Sequence, residues 1–105
     1  MKIPKASLMI LTLTLVFSAY TFASPGADTF KAKCAACHGA TGAGDTTMGK
    51  NLKLRDLGSA DVQKQSDDEL ATIISKGKGK MPPYGSKLTK EQISDVVKFI
   101  RSLKK

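Results

Sequence analysis

The strongest pattern of apolar and polar positions lies at the end of the chain. Ile93, Val96, Val97, Ile100 and Leu103 recur at intervals of three and four residues, the spacing that lines one face of an α-helix, and Phe99 extends that face at its edge. Thr89 to Gln92 reads as a capping box, in which the Thr89 hydroxyl accepts from the backbone of Gln92 and the Gln92 side chain reaches back. Arg101, Lys104 and Lys105 place positive charge at the negative end of the helix dipole. A shorter stripe of Leu70, Ile73 and Ile74 follows a second box at Ser66-Asp67-Asp68-Glu69 and meets a terminator at Gly77, so a helix is expected from Asp67 to Lys76. Another is expected from Ala27 to Lys33, with Asp28 near its start and with Gly26, Phe30 and Cys34 sharing one face at four-residue spacing. Ser59 to Val62 adds a short helical turn. No strand pattern is present, so the chain reads as all-α, three to four short helices.

The stretches between these helices are of two kinds. Gly39 to Asp45 is too rich in glycine for regular structure and reads as a loop, and Thr46 to Leu57 is low in periodicity, with Asn51, Leu52 and Leu54 the candidates for inward contacts. Lys76-Gly77-Lys78-Gly79-Lys80-Met81-Pro82-Pro83-Tyr84-Gly85 cannot be a helix or a central strand, because its glycines and paired prolines break both. It reads as an extended loop with Met81 at its centre.

At the other end, Lys2 and Lys5 precede an apolar run from Leu8 to Tyr20, and Thr21-Phe22-Ala23 forms a small-x-small site. Together these make a secretory signal over residues 1–23, with cleavage expected after Ala23 and an uncleaved signal anchor as the alternative. The run is about thirteen residues, too short to span a bilayer comfortably. The domain is then Ser24 to Lys105, 82 of the 105 residues. Chains of that size often need a metal, a disulfide or another staple to complete a core.

Charge narrows the choice of partner. Lys and Arg number 17 against 9 Asp and Glu, and without Lys2 and Lys5 the balance is still +6. Such a chain could bind nucleic acid, an anionic membrane or an acidic protein face. Nucleic acid does not fit an exported chain with few aromatic residues and no tryptophan, and a membrane enters only if the signal is uncleaved. An acidic protein face is the expected partner, and the domain is expected to be a monomer.

The chemistry concentrates in Cys34-Ala35-Ala36-Cys37-His38. The C-x-x-C-H arrangement is that of c-type haem attachment. On one helical turn the two thiols point the same way and can each join one vinyl group of a porphyrin, while His38 offers its imidazole to the iron. A C-x-x-C pair alone could also be a redox dithiol, half of a zinc site or a plain disulfide. Zinc would want four ligands, and a thioredoxin-like dithiol would want a strand before the motif. A dithiol pair without haem stays open as an alternative. Once haem is granted, Met81 becomes the candidate for the second axial ligand, because a thioether is a known partner to histidine and two prolines hold its loop. Met48, in the glycine-rich segment, is the competitor. His38 is the only histidine, so ligation by two histidines of one chain is excluded.

The C-x-x-C-H motif with Gly39, the Lys80-Met81-Pro82-Pro83-Tyr84 segment, the helix carrying Gly26 and Phe30, and the terminal helix through Val97-Lys98-Phe99-Ile100 resemble a class I cytochrome c, in its small bacterial members. The likeness covers the whole domain. It implies a small cytochrome c fold wrapped around one covalently bound haem c, held by Cys34 and Cys37 as thioethers and by His38 and Met81 on the iron. It also implies attachment outside the cytoplasm, hence a periplasmic protein, and a close crossing in which Gly26 and Phe30 meet Val96, Phe99 and Ile100. Lys50-Asn51-Leu52 stands where eukaryotic members have Pro-Asn-Leu, whose proline carbonyl fixes the imidazole; a backbone carbonyl at Lys50 could still accept from His38, and the resemblance leaves that open. Lys53 and Arg55 are candidates to reach a haem propionate.

The implied function is transfer of one electron between redox proteins, with no enzymatic step. Lys76, Lys78, Lys80 and Lys87 bracket the Met81 loop and would steer an acidic partner. Two alternatives stand beside the free carrier: a haem subunit or partner of a larger oxidase or dehydrogenase complex, and a five-coordinate haem that binds a gas or turns over peroxide.

Overall fold

A computed structural model of the chain describes residues 24–105; the segment read as a signal, residues 1–23, lies outside them. The described chain runs α1 (Pro25–Lys33), α2 (Ala35–His38), α3 (Thr47–Asn51), α4 (Ala60–Gln63), α5 (Asp67–Lys76) and α6 (Lys90–Ser102). The three longer helices and α4 follow the expected pattern. The short α2 and α3 fall where no apolar stripe announces them. Among the described residues there is no strand, only a single antiparallel bridge between Lys78 and Met81.

The core forms where α1 crosses α6. Phe30 and Val96 are its most buried side chains, and Phe30 packs on Phe99 with ring centroids 4.8 Å apart. Gly26 lets the backbones touch, since a Cβ there would stand 2.0 Å from the Asp95 carbonyl oxygen. This is the glycine and aromatic crossing that the resemblance implied. Leu70 and Ile74 of α5, Val62 of α4, and Leu88 join Ile93, Val97 and Ile100 in the same cluster.

Both expected helix starts form, to different degrees. At α6 the box is complete: the Gln92 amide donates to Thr89 Oγ1 at 3.1 Å and the Thr89 amide to Gln92 Oε1 at 2.9 Å. At α5 only the first half forms, with the Glu69 amide donating to Ser66 Oγ at 3.1 Å.

Arg101 does more than complement a dipole. Its Nε donates to Asp67 Oδ1 at 2.8 Å, one amino group donates to the Gln63 carbonyl at 2.8 Å, and the other donates to the Gln65 carbonyl. The Gln63 amide in turn donates to the Leu57 and Ile100 carbonyls. One guanidinium thus closes the C-terminal ends of α4 and α6 onto the start of α5. That arrangement fixes the wall of the crevice described next.

Candidate haem crevice

The attachment motif straddles a helix break. Cys34 ends α1, its amide donating to the Phe30 carbonyl at 2.8 Å, and α2 restarts the helix so that the His38 amide donates to the Cys34 carbonyl at 3.0 Å. Cys34, Cys37 and His38 therefore sit on one turn, and all three line the same crevice. Both thiols are free and half-buried. Burial raises the Cys34 pKa, with the neighbouring Cys37 adding to it, so this thiol is held in its neutral form.

A backing platform holds the turn from behind. Thr46 caps α3 by accepting from the Gly49 amide at 2.9 Å, and its hydroxyl donates to the Cys37 carbonyl at 2.6 Å. The Gly44 amide donates to the His38 carbonyl at 2.7 Å. A Cβ on Gly49 would stand 2.6 Å from that same Cys37 carbonyl, so α3 reaches the motif only because this residue has no side chain. The chain leaves α3 through Lys53, the one non-glycine residue with positive φ among those described (φ 55). Its amide donates to the Lys50 carbonyl at 3.2 Å, and the Leu54 amide to the Gly49 carbonyl at 2.9 Å, the paired bonds of a Schellman end. The Lys50 carbonyl is thereby turned to its own helix end. It does not accept from His38, whose Nδ1 is buried with no partner.

The His38 ring lies 6.3 Å from the Phe30 ring, centroid to centroid, and burial lowers its pKa. The imidazole is thus kept neutral, the form that can offer a lone pair to a metal.

Met81 lines the same crevice from the segment that follows α5. The expected extended loop is tighter in the structure: Lys78 and Met81 exchange backbone hydrogen bonds at 3.2 and 3.0 Å around Gly79 and Lys80. Gly79 alone in this turn has positive φ (58), as a first central position of II′ type requires. Gly77 also has positive φ (75), and a Cβ there would stand 2.5 Å from the Met81 carbonyl oxygen. The loop can therefore fold back over the end of α5. Beyond the prolines, the Tyr84 amide donates to the Ile74 carbonyl and the Gly85 amide to the Ser75 carbonyl, both at 2.9 Å. The Tyr84 hydroxyl donates to the Lys33 carbonyl at 3.2 Å. Burial raises the Tyr84 pKa, and nearby Cys34 and Cys37 add to it.

Between these walls the crevice has two lobes of about 380 and 210 Å³. His38, Met81, Cys34, Leu54 and Lys78 line both, so they are halves of one space. The inner lobe is walled by Leu57, Val62, Leu70, Ile73, Ile74 and Ile100, with Arg55 and Gln65 as further polar groups. Lys33, Lys78 and Lys80 stand at the outer lobe, while Lys76 and Lys87 are exposed beyond it. Every charged residue lining either lobe is basic. Of the two propionate candidates, Arg55 lines the crevice and Lys53 does not. Met48 lines neither lobe and is 51% exposed, so the geometry favours Met81 over its competitor. Among the described residues no cluster of three or more His, Cys, Asp or Glu side chains could hold a bare metal ion.

The donor set fits a haem: two thiols on one turn, a neutral imidazole, a thioether facing the same space, apolar walls, and only positive charge at the margins to meet carboxylates. Sequence reading did not foresee the Thr46 platform, the Tyr84 bridge or Gln65. Only the glycines at 44, 49 and 77 carried any signal of the close approaches.

Such a crevice in an all-α domain defines a c-type cytochrome, and comparison with known proteins agrees. Residues 22–100 match the family described as cytochrome C oxidase, cbb3-type, subunit III. The chain is 31% identical to a cytochrome c6 from Picosynechococcus sp. (strain ATCC 27264 / PCC 7002 / PR-6), over 89% of this chain and 90% of that protein. It is 33% identical to the cytochrome c subunit of a quinone alcohol dehydrogenase from Gluconacetobacter polyoxogenes, over 87% of this chain and 21% of that subunit. Among solved structures, the c-type cytochrome KustC0563 superposes with a TM-score of 0.71 at 33% identity, over 76% of this chain and 98% of that one. The chain belongs to the cytochrome c family, as a small class I member with a single haem. It carries a covalently bound haem c and is an electron carrier rather than an enzyme.

Proposed function

We propose that this chain is a periplasmic shuttle that passes single electrons between redox proteins, with haem c joined to Cys34 and Cys37 and ligated by His38 and Met81. The observation that carries the reading is the convergence of His38 and Met81, distant in sequence, on the two lobes of one crevice. The haem supplies a one-electron iron couple. Cys34 and Cys37 hold it to a rigid turn, and His38 gives a neutral imidazole from a buried position. Met81 would give its thioether to the same iron, which would leave no position for water or substrate there. A neutral thioether favours the reduced state relative to a second imidazole, which raises the potential. Arg55, which lines the inner lobe, would meet a haem carboxylate there. In this reading residues 1–23 direct export and are removed, leaving Ser24 to Lys105 as the working domain.

The visible spectrum of the oxidised protein tests the ligand pair. Wild type is expected to show the far-red band that a thioether on ferric haem produces, and Met81→Ala to lack it; a band unchanged by that substitution would overturn the ligation.

Lys33, Lys78 and Lys80 at the crevice margin, with exposed Lys76 and Lys87, support docking on an acidic face. Reversing Lys78 and Lys80 to Glu is expected to slow electron transfer to a physiological partner at least tenfold at low ionic strength and to flatten its salt dependence. An unchanged slope against ionic strength would remove these lysines from the docking face. Similarity to a dehydrogenase cytochrome subunit supports a second reading, in which the domain works as a partner within a larger oxidase or dehydrogenase complex. Native purification decides between them: a free carrier elutes alone at the size of one domain.

A further inference from the structure

The crevice has two walls that come from different parts of the chain. One is built from residues 24–54, which carry Cys34, Cys37 and His38. The other is the end of α5 with the Met81 arm, residues 74–88. Among the described residues, a single hydrogen bond joins the two: the Tyr84 hydroxyl donating to the Lys33 carbonyl, one residue before Cys34. No ion pair crosses between them.

That bond sits at the end of a stiff lever. Pro82 and Pro83 separate Tyr84 from Met81, and each fixes its own φ and offers no amide hydrogen. The arm therefore has few internal degrees of freedom, and what holds Tyr84 also aims Met81. Its other hydrogen bonds to a neighbouring element go to α5 alone, through the Tyr84 and Gly85 amides. Without the phenol no hydrogen bond would tie it to the wall that carries His38, and only apolar packing would remain there. Lys87 places its ammonium 5.5 Å from the centre of the Tyr84 ring, a cation–π contact that further orients the ring.

We propose that Tyr84 is a positioning residue for Met81: its hydroxyl bridges the two crevice walls and holds the thioether in register with His38. The inference rests on the reading of Met81 as an axial ligand. It concerns how firmly that ligand is held and does not concern which residue it is. The bond is lost only when the arm swings away, so its energy adds to the cost of freeing the sixth position.

The test is the rate at which cyanide binds the oxidised, haem-loaded protein, measured in wild type, Tyr84→Phe, Met81→Ala and Thr89→Ala. The last removes the cap of α6 at a residue that lines neither lobe and so lowers general stability. Removing one exposed neutral hydrogen bond is expected to raise the Tyr84→Phe rate by roughly two- to fivefold. The far-red band should persist in that variant, and Thr89→Ala should keep the wild-type rate. A Tyr84→Phe rate equal to wild type, with Met81→Ala fast, would overturn the bridge while sparing Met81 as ligand. An equal acceleration in Thr89→Ala would also overturn it, since the effect would then be loss of general stability. A Met81→Ala protein with the band and rate of wild type would remove the ligand itself, and the bridge with it.

Discussion

At the scale of single residues, the site rests on a few backbone conformations that side chains do not announce. Lys53 is the clearest. A left-handed residue ends α3, and the Schellman bonds around it aim Leu52 and Leu54 at the outer lobe. Glycine adopts that conformation freely, whereas a side chain there costs about 1–2 kcal/mol. Part of that is returned by the lower entropy of the unfolded lysine chain. Lys53→Gly is expected to stabilise the haem-loaded protein by about 0.5–1 kcal/mol in urea titration, with the absorption spectrum unchanged. The same turn explains why the Lys50 carbonyl does not accept from His38. Every residue has a carbonyl, so Lys50 was a reasonable acceptor for His38 on paper. Which way a carbonyl points is decided by how its helix ends, and no residue type near Lys50 signals that a lysine will take the left-handed position.

At the scale of elements, legibility followed length and burial. The α6 stripe and its capping box could be read directly, because a 13-residue helix repeats its apolar face several times. The pair α2 and α3 has four and five residues, shorter than the period needed to show a stripe. They are stabilised by contacts rather than propensity. Arg101 is the element-scale counterpart of Lys53: a residue that looked like helix-end charge proves to tie α6 to α4 and α5 through three acceptors. The fork of a guanidinium is needed for that geometry. Arg101→Lys is expected to cost about 1–2 kcal/mol of stability by denaturant unfolding, because an ammonium cannot reach Asp67 and both carbonyls together. Full recovery of stability by lysine would show that only the charge matters.

For the whole molecule, the closing contact is between the chain's last residue and the loop before α4. Lys105 bonds Asp56 through its side chain, and its amide donates to the Gly58 carbonyl at 3.1 Å. The Lys105 bond lowers the Asp56 pKa, and a hydrogen bond from the Gly58 amide lowers it further. A carboxylate whose folded pKa lies below its unfolded value near 3.9 contributes stability above that value and loses it as pH falls through the folded pKa. Asp56→Asn is therefore expected to flatten the acid limb of the stability profile below about pH 4. It should leave the slope between pH 5 and 8 unchanged. An acid limb as steep as wild type would place the linkage elsewhere.

The crossing of α1 and α6 has a consequence for when this domain can exist. Phe30 meets its partners only after Val96 and Phe99 have been made, so the first helix waits for nearly the whole chain. Closing a loop of that length costs about 4 kcal/mol of chain entropy before the contact returns anything. The nascent chain is therefore open for most of its synthesis, and its two cysteines are unshielded. A core that joins α1 to α6 is also a timing device: it defers the fold until nearly all of residues 24–105 have been made.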